Sequence, residues 1–439
     1  MVNNDADLQK GEYWVRQGQL QRAQPYLNNS RQPRAHKYAQ QIMNLKLAQQ
    51  YFNQGQFQKS QHQAQHVRSQ LPTLIQIHKT ARQLVKISQQ AQQQHFVGPT
   101  IPNTLAQMDA KVICRQVTAG ILIDQASGQV LWQKQSQQVL PVASLSKLLA
   151  VYTIYRTLEI KHISLQTPIP ATAVITGIEK KPGLSTAKLE VGQYYSIQQL
   201  LQATMVASAN DAIMVLGQYL YGSQERFVEM MQQNARNLKL HSVQLVNANG
   251  LPATLDPSVA NNAHAKVLEN HFNAQDLAKI TQNLLQQFPQ VLQLTKQQHI
   301  RIGAHNFVNT NEMLAQGKYS AVKYQVDGLK TGTGEAAGYG TVITTTIAKR
   351  RVILVVLKAP SDAARFLQAR ELLDYLADNW QVQTKTLATF PKPTKVTLWQ
   401  AQNAKTKLRL QYQINLLKTP PQLDYSIWSN QSQIPWLFN

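Results

Sequence analysis

Cysteine is almost absent from this chain: Cys114 stands alone in 439 residues. No intramolecular disulfide can form, and a multi-cysteine zinc site is excluded. Such usage suits a cytoplasm, or an exterior whose proteins do not rely on disulfides. Cys114 lies in the apolar run KVICRQV and reads as a packed strand residue, not as a nucleophile. Acidic residues are also scarce. Asp plus Glu number 22 against 44 Lys plus Arg, a formal charge of +22, and none occurs between Tyr13 and Met108. That balance points to a polyanionic neighbourhood, and charge alone does not choose among nucleic acid, an anionic membrane and a phosphate-rich polymer. No run of eighteen apolar residues occurs, so no transmembrane helix is expected. The first forty residues hold no apolar signal core either.

What is present divides the chain. Residues 1–98 are basic and Gln-rich, with 24 Gln among the first 100 residues. WVRQGQLQRAQ (14–24) matches YFNQGQFQKSQ (51–61) at an offset of 37, aligning Gly18 with Gly55. An aromatic, then Gly, then a small residue predicts helical hairpins resembling tetratricopeptide repeats, here serving as a basic helical spacer. Leu74, Ile77, Ala81, Leu84, Val85, Ser88 and Ala91 add one more helical face. VGPTIPN introduces a linker over 99–108. From 109 the pattern changes to a strand hairpin joined by QASG. Helices are expected near 144–158, 196–206 and 210–221, strands near 322–332, 338–347 and 351–358, and a helix over 362–380. This order predicts an α+β domain over 109–380, an antiparallel sheet flanked by helices. Residues 381–439 read as a small β-rich appendage.

Three Ser-x-x-Lys quartets occur: Ser144 to Lys147, Ser185 to Lys188, and Ser320 to Lys323. Only the first opens an apolar helix, with Leu145, Leu148, Leu149 and Tyr152 on one face. A serine there has helix N–H groups nearby and a lysine one turn on. Such a lysine serves as a base only if burial or a second cation lowers its pKa. STAK follows the loop signature KKPGL; SAVK enters a strand, where residues three apart face opposite ways. Two further clusters matter. Ser208 and Asn210 sit between apolar helices, where they either cap the second helix or handle protons and a substrate amide. Lys330, Thr331, Gly332 and Thr333 sit near a strand end. There Lys330 and Thr331 suit a carboxylate, Gly332 leaves room for a substrate backbone, and Lys330 is the second cation that would hold down the pKa of Lys147.

Ser-x-x-Lys, Ser-x-Asn and Lys-Thr-Gly in this order form the signature of penicillin-binding proteins and class A β-lactamases. With GILIDQASGQVLWQK, LPVASLSKLL, SIQQLLQATMVASANDA, NANGLP and VDGLKTGTGEAAG, residues from about 110 to 380 resemble the serine D-alanyl-D-alanine carboxypeptidases, the low-molecular-mass penicillin-binding proteins. The resemblance implies a β-lactamase/transpeptidase-like fold and hydrolysis of the terminal D-Ala from peptidoglycan stem peptides, with β-lactams as inhibitors. It implies Ser144 as nucleophile, Lys147 as base, Ser208 as proton relay, Asn210 as substrate anchor, and Lys330 and Thr331 as carboxylate binders. The backbone N–H groups of Ser144 and Thr333 would form the oxyanion hole. It implies no metal or organic cofactor.

Two departures stand out. Gly334 occupies a position where the family usually has a hydroxyl residue. Residues 261–272, NNAHAKVLENHF, read as an insertion whose His264 and His271 are loop residues. A β-lactamase would need a deacylating carboxylate, for which Glu225 and Glu229, downstream of the second motif, are the candidates. A catalytically weak penicillin-binding adaptor would keep the fold without the turnover. A nucleic-acid binder would suit the charge but makes no use of the three motifs. The implied substrate is extracytoplasmic, at the cell wall or the outer membrane face, so the chain is expected to begin after a signal or anchor. Its basic first region would then run along anionic wall polymer or lipid headgroups.

Overall fold

The computed structural model describes residues 5–16, 20–53, 56–67, 81–82, 84–86, 88–89, 114–178, 181–259, 268–387, 394–401, 408–415, 422–429 and 432–433. The linker over 99–108, Gly18, Gly55 and His264 lie outside them. The chain divides into two compact units: residues 1–102, 384–396 and 405–434 in one, residues 103–383, 397–404 and 435–439 in the other.

The first unit holds helices α1 (Ala6–Arg16), α2 (Leu20–Asn29), α3 (Pro33–Asn53) and α4 (Phe57–Gln65). Leu20, Ala23 and Leu27 of α2 and Tyr38, Ile42, Leu45 and Phe52 of α3 are buried, which is the helical periodicity of core-facing residues. Of the further expected helical face, Ala81, Leu84 and Ser88 are described and buried. Strands Leu408–Asn415 and Gln422–Ser429 pair antiparallel in the same unit.

The second unit is built on five antiparallel strands: β1 (Ala119–Asp124), β2 (Val130–Lys134), β3 (Val326–Gly334), β4 (Gly338–Ile347) and β5 (Arg350–Ala359). Their spatial order is β2-β1-β5-β4-β3, so β3 lies at an edge. Alternate residues serve opposite faces. Ala119, Ile121 and Ile123 join one apolar cluster with Ile353 and Val355; Leu122 joins the other with Leu354 and Val356. The first cluster is covered by α5 (Lys147–Lys161), α6 (Ile197–Val206), α7 (Asn210–Tyr221), α8 (Gln224–Asn237) and α9 (Ala274–Gln287). The second is covered by α10 (Asp362–Asn379), through Phe366, Leu372 and Leu373.

Helix α5 is buried all round from Lys147 to Tyr155, as expected of a helix at the centre of a domain and not of one at its surface. The expected helix start at 144 is corrected in one respect. Residues Ala143–Ser146 form a 3₁₀ turn, and the α-helix begins at Lys147. Two glycines let other segments reach that turn. Gly332 lies against it: a Cβ there would come 2.7 Å from the Val142 carbonyl oxygen and 3.0 Å from the Leu145 side chain. Gly250 has φ +81°, and its Cβ would overlap the Ala143 carbonyl group. Ala143 itself takes φ +46°, a costly conformation for a residue with a side chain. Asn270 secures the turn from below. Its Nδ2 donates to Ser146 Oγ at 2.9 Å, Ser146 Oγ donates to the Ala143 carbonyl at 2.9 Å, and the Val142 N–H donates to the Asn270 carbonyl at 3.0 Å.

Some sequence expectations shift. Cys114 is packed but sits at a bend with φ +53°, and burial pushes its thiol up to about 12, which makes it inert. SAVK lies in the loop before β3, where Lys323 pairs with Asp378 at 2.6 Å. His271 is in a two-residue strand paired with Pro141. The strand Thr394–Ala401 brings Trp399 into the second unit, 1% exposed. Its Nε1 donates to Asp124 Oδ2 at 2.8 Å, and its backbone N–H and carbonyl pair with the Gln129 side-chain amide at 2.9 and 3.1 Å. Asp124 also accepts from Arg350 Nε at 2.9 Å.

These contacts set the cost of removing either anchor. Trp399→Ala removes a buried indole and leaves Asp124 short of a donor, so the melting temperature should fall by several degrees, for a loss of about 3–5 kcal/mol. An unchanged melting curve would show that the indole is not an anchor. Gly250→Ala should destabilise by about 1–3 kcal/mol, because strain and overlap act together, and a melting curve within one degree of wild type would contradict the close approach.

Candidate functional site

The three motifs meet where α5, the α6–α7 junction and edge strand β3 converge. Lys147 is 0% exposed. Its Nζ donates to Ser144 Oγ at 2.8 Å, to Asn210 Oδ1 at 2.8 Å, and to the Asn249 carbonyl oxygen. The chemistry of these partners is unequal. An amide oxygen and a backbone carbonyl can only accept, whereas a hydroxyl can also donate. A neutral lysine amine keeps two N–H bonds and one lone pair. The two bonds belong to Asn210 and Asn249, so the lone pair faces the Ser144 hydroxyl.

The same enclosure sets the charge state. Burial lowers the Lys147 pKa to about 7, against the opposing pull of Asp211 and Asp256. Neither carboxylate touches the ammonium. Asp211 accepts from the Ala187 and Leu189 N–H groups at 2.8 and 3.2 Å, and Asp256 accepts from Asn249 Nδ2 at 2.8 Å. Desolvation of Lys147 is thus the leading cause of its shift, and the repulsion between Lys147 and Lys330 is mutual. Lys330 is 1% exposed and pushed well below the ordinary lysine value by burial first and then by Lys147 and Arg365.

Lys330 Nζ donates to Ser208 Oγ at 2.9 Å and to the Thr331 carbonyl at 2.8 Å. Ser208 takes φ +58°, which turns its side chain toward the strand and not along the helix. Ser208 and Asn210 therefore do not serve as caps of α7. The N-cap of α7 is Ala209, and no side-chain cap bond is made. Thr331 Oγ1 lies 2.6 Å from Thr310 Oγ1, and exposed Thr333 accepts from Arg365 Nη1 at 3.0 Å. The bare backbone at Gly332 is accounted for by the Ser144 turn packed against it, not by room left for a ligand.

Several members were not singled out in the sequence. Asn249 and Asn270 come from loops whose partners are distant in the chain. Arg365 holds the β3 end from α10, donating to the Gly332 carbonyl at 3.1 Å and to Gly340 at 3.3 Å, and it pairs with Asp362. One signal for it was legible: an arginine on the same helical stripe as Ala369, Leu372 and Leu376, all buried. Glu225 and Glu229 do not join the site. They line a separate cavity of about 460 Å³ with Leu245, Val246 and Ser258. STAK is a loop pinned by α7, with the Asn210 N–H donating to the Ser185 carbonyl at 2.8 Å.

A family model described as Peptidase_S11, D-alanyl-D-alanine carboxypeptidase, matches residues 106–361. D-alanyl-D-alanine carboxypeptidase DacC of Escherichia coli (strain K12) is 30% identical over 259 residues, 58% of this chain and 60% of that protein. The chain thus spans about three fifths of that relative's length. A peptidoglycan synthesis regulatory factor from Streptococcus pneumoniae superposes with a TM-score of 0.60 at 24% identity, covering 73% of this chain and 99% of that one. Penicillin-binding protein D2 from Listeria monocytogenes, in a cefotaxime-bound form, gives 0.50 at 24% identity, covering 62% and 98%. At these identities the superpositions show the fold. The match over more than half the sequence, centred on the three motifs, places the chain in the D-alanyl-D-alanine carboxypeptidase family, Peptidase S11.

Proposed function

We propose that this protein is a serine D-alanyl-D-alanine carboxypeptidase acting on peptidoglycan stem peptides outside the cytoplasm. The observation that carries the reading is the fully buried Lys147, its lone pair left to the Ser144 hydroxyl. In this mechanism Ser144 Oγ attacks the carbonyl between the two terminal D-alanines while its proton passes to Lys147. The peptide lies antiparallel along the β3 edge, its terminal carboxylate at Lys330 and Thr331, its amide held by Asn210. The backbone N–H groups of Ser144 and Thr333 receive the oxyanion. Collapse breaks the C–N bond; the departing amine takes its proton through Ser208, which Lys330 orients. Water then adds to the acyl-enzyme and releases the shortened peptide and Ser144. β-Lactams acylate the same serine, in keeping with the cefotaxime-bound relative. The basic region 1–98, free of acids from Tyr13 on, suits anionic wall polymer or lipid headgroups.

Incubation with penicillin should add one penicilloyl group to the peptide containing Ser144, read by mass spectrometry, and Ser144→Ala should abolish it. An adduct elsewhere, or none, would contradict the assignment. The acylation rate should fall about tenfold per pH unit below about 7 and level off above, because only neutral Lys147 accepts the proton. Asp256→Asn keeps the bond to Asn249 but removes a charge that raises the Lys147 pKa. The acid limb should then move to lower pH. A limb that stays in place, or moves up, would show that Asp256 does not act on Lys147.

A further inference from the structure

We propose that His62 and His66, at the C-terminal end of α4, together bind a divalent transition-metal ion, with zinc the best fit. The site lies in the first unit and does not depend on the proposed carboxypeptidase reading.

The stretch HQAQH (62–66) sets two imidazoles four residues apart. That is a little over one helical turn, so both side chains leave α4 on the same face. In the structure their rings meet edge to face, with centroids 4.5 Å apart and planes at 78°. The two Nε2 atoms stand 3.3 Å apart. This separation fits a tetrahedral ion. Two nitrogens each about 2.05 Å from one ion at the tetrahedral angle stand about 3.3 Å apart, whereas a right-angled, square-planar pair stands about 2.9 Å apart. Here one ring donates its Nε2–H to the other. A bound ion replaces that proton, the donor ring shifting to its Nδ1–H tautomer, and both lone pairs turn to the metal.

The surroundings set the class of ion. Both rings are exposed, so an ion reaches them from solvent. His66 is the C-cap residue of α4, and the unpaired carbonyl groups of a helix C-terminus favour a cation. Among the described residues no third His, Cys, Asp or Glu joins the pair. Mg²⁺ and Ca²⁺, which need carboxylate oxygens, are therefore poorly served, while imidazole nitrogen suits zinc, copper and nickel. Water completes the coordination. The residue after His62 is Gln63 and not glutamate, so the pair lacks the general base of a hydrolytic His-Glu-x-x-His helix. It binds an ion and ties the last turn of α4, which stabilises the folded state.

The test titrates the full-length protein at neutral pH with Zn²⁺, and separately with Mg²⁺, in a calorimeter. Zn²⁺ should bind and Mg²⁺ should not. Outer-shell substitutions at metal sites cost about 10–100-fold in affinity, so removal of a ligand should cost at least as much. His62→Gln and His66→Gln should each weaken the strongest Zn²⁺ event by about tenfold or more. His36→Gln, which removes an exposed histidine of α3, should leave it unchanged. In the wild type with nitrogen-labelled histidine, the Nε2 resonances of His62 and His66 should shift together as Zn²⁺ is added. The metal-dependent rise in melting temperature should disappear in both pair variants. No Zn²⁺ binding, an affinity unchanged in both variants, or a loss in only one of them would overturn the site.

Discussion

Everything at this site depends on enclosing one ammonium group. A lysine amine in water is protonated at neutral pH and useless as a base; in an enclosed space the charged form loses its hydration. Lys147 is fully buried, and two of its three partners are oxygens that can only accept. Burial favours the neutral amine, and the neutral amine has one place to put its lone pair. Asp211 and Asp256 keep the shift from going too far, so that the group changes charge near 7. Neither touches the amine, so their charges act without competing for its lone pair.

Enclosure also requires that backbone come unusually close to Ser144. The turn carrying Ser144 is pressed between β3, at Gly332, and the loop at Gly250. Ala143 is held in a left-handed conformation immediately before Ser144. Its carbonyl is tied by Ser146, which is tied in turn by Asn270. Such strain persists only where surrounding contacts over-determine it. Here the 3₁₀ turn, the edge strand and the asparagine network supply those contacts. The five-stranded sheet gives the rigid edge against which the turn is set.

Much of this was legible because it is local. The apolar positions after Ser144 announced a buried helix, the strands expected near 338–347 and 351–358 are β4 and β5, and QASG announced the β1–β2 turn that Asp124 closes. The order of the three motifs brought Ser144, Lys147, Ser208, Asn210 and Lys330 to one place. What stayed hidden depends on pairings far apart in the chain. Asn270 supports a turn 124 residues earlier, and Trp399 reaches Asp124 across 275 residues. Burial was one of two causes the sequence offered for a lowered Lys147 pKa, but its depth was hidden, because complete enclosure depends on Asn210 and Asn249, 63 and 102 residues away. Gly332 was legible as a close approach, yet what approaches it became visible only with the turn in place.

The most direct measurement of the central claim is a titration of Lys147 in the free protein. With lysine labelled at the ε-carbon and ζ-nitrogen, its NMR resonance, assigned by loss in Lys147→Met, should change with a midpoint near pH 7. A midpoint near 10, where an ordinary lysine titrates, would contradict the account, since Ser144 would then lack its base.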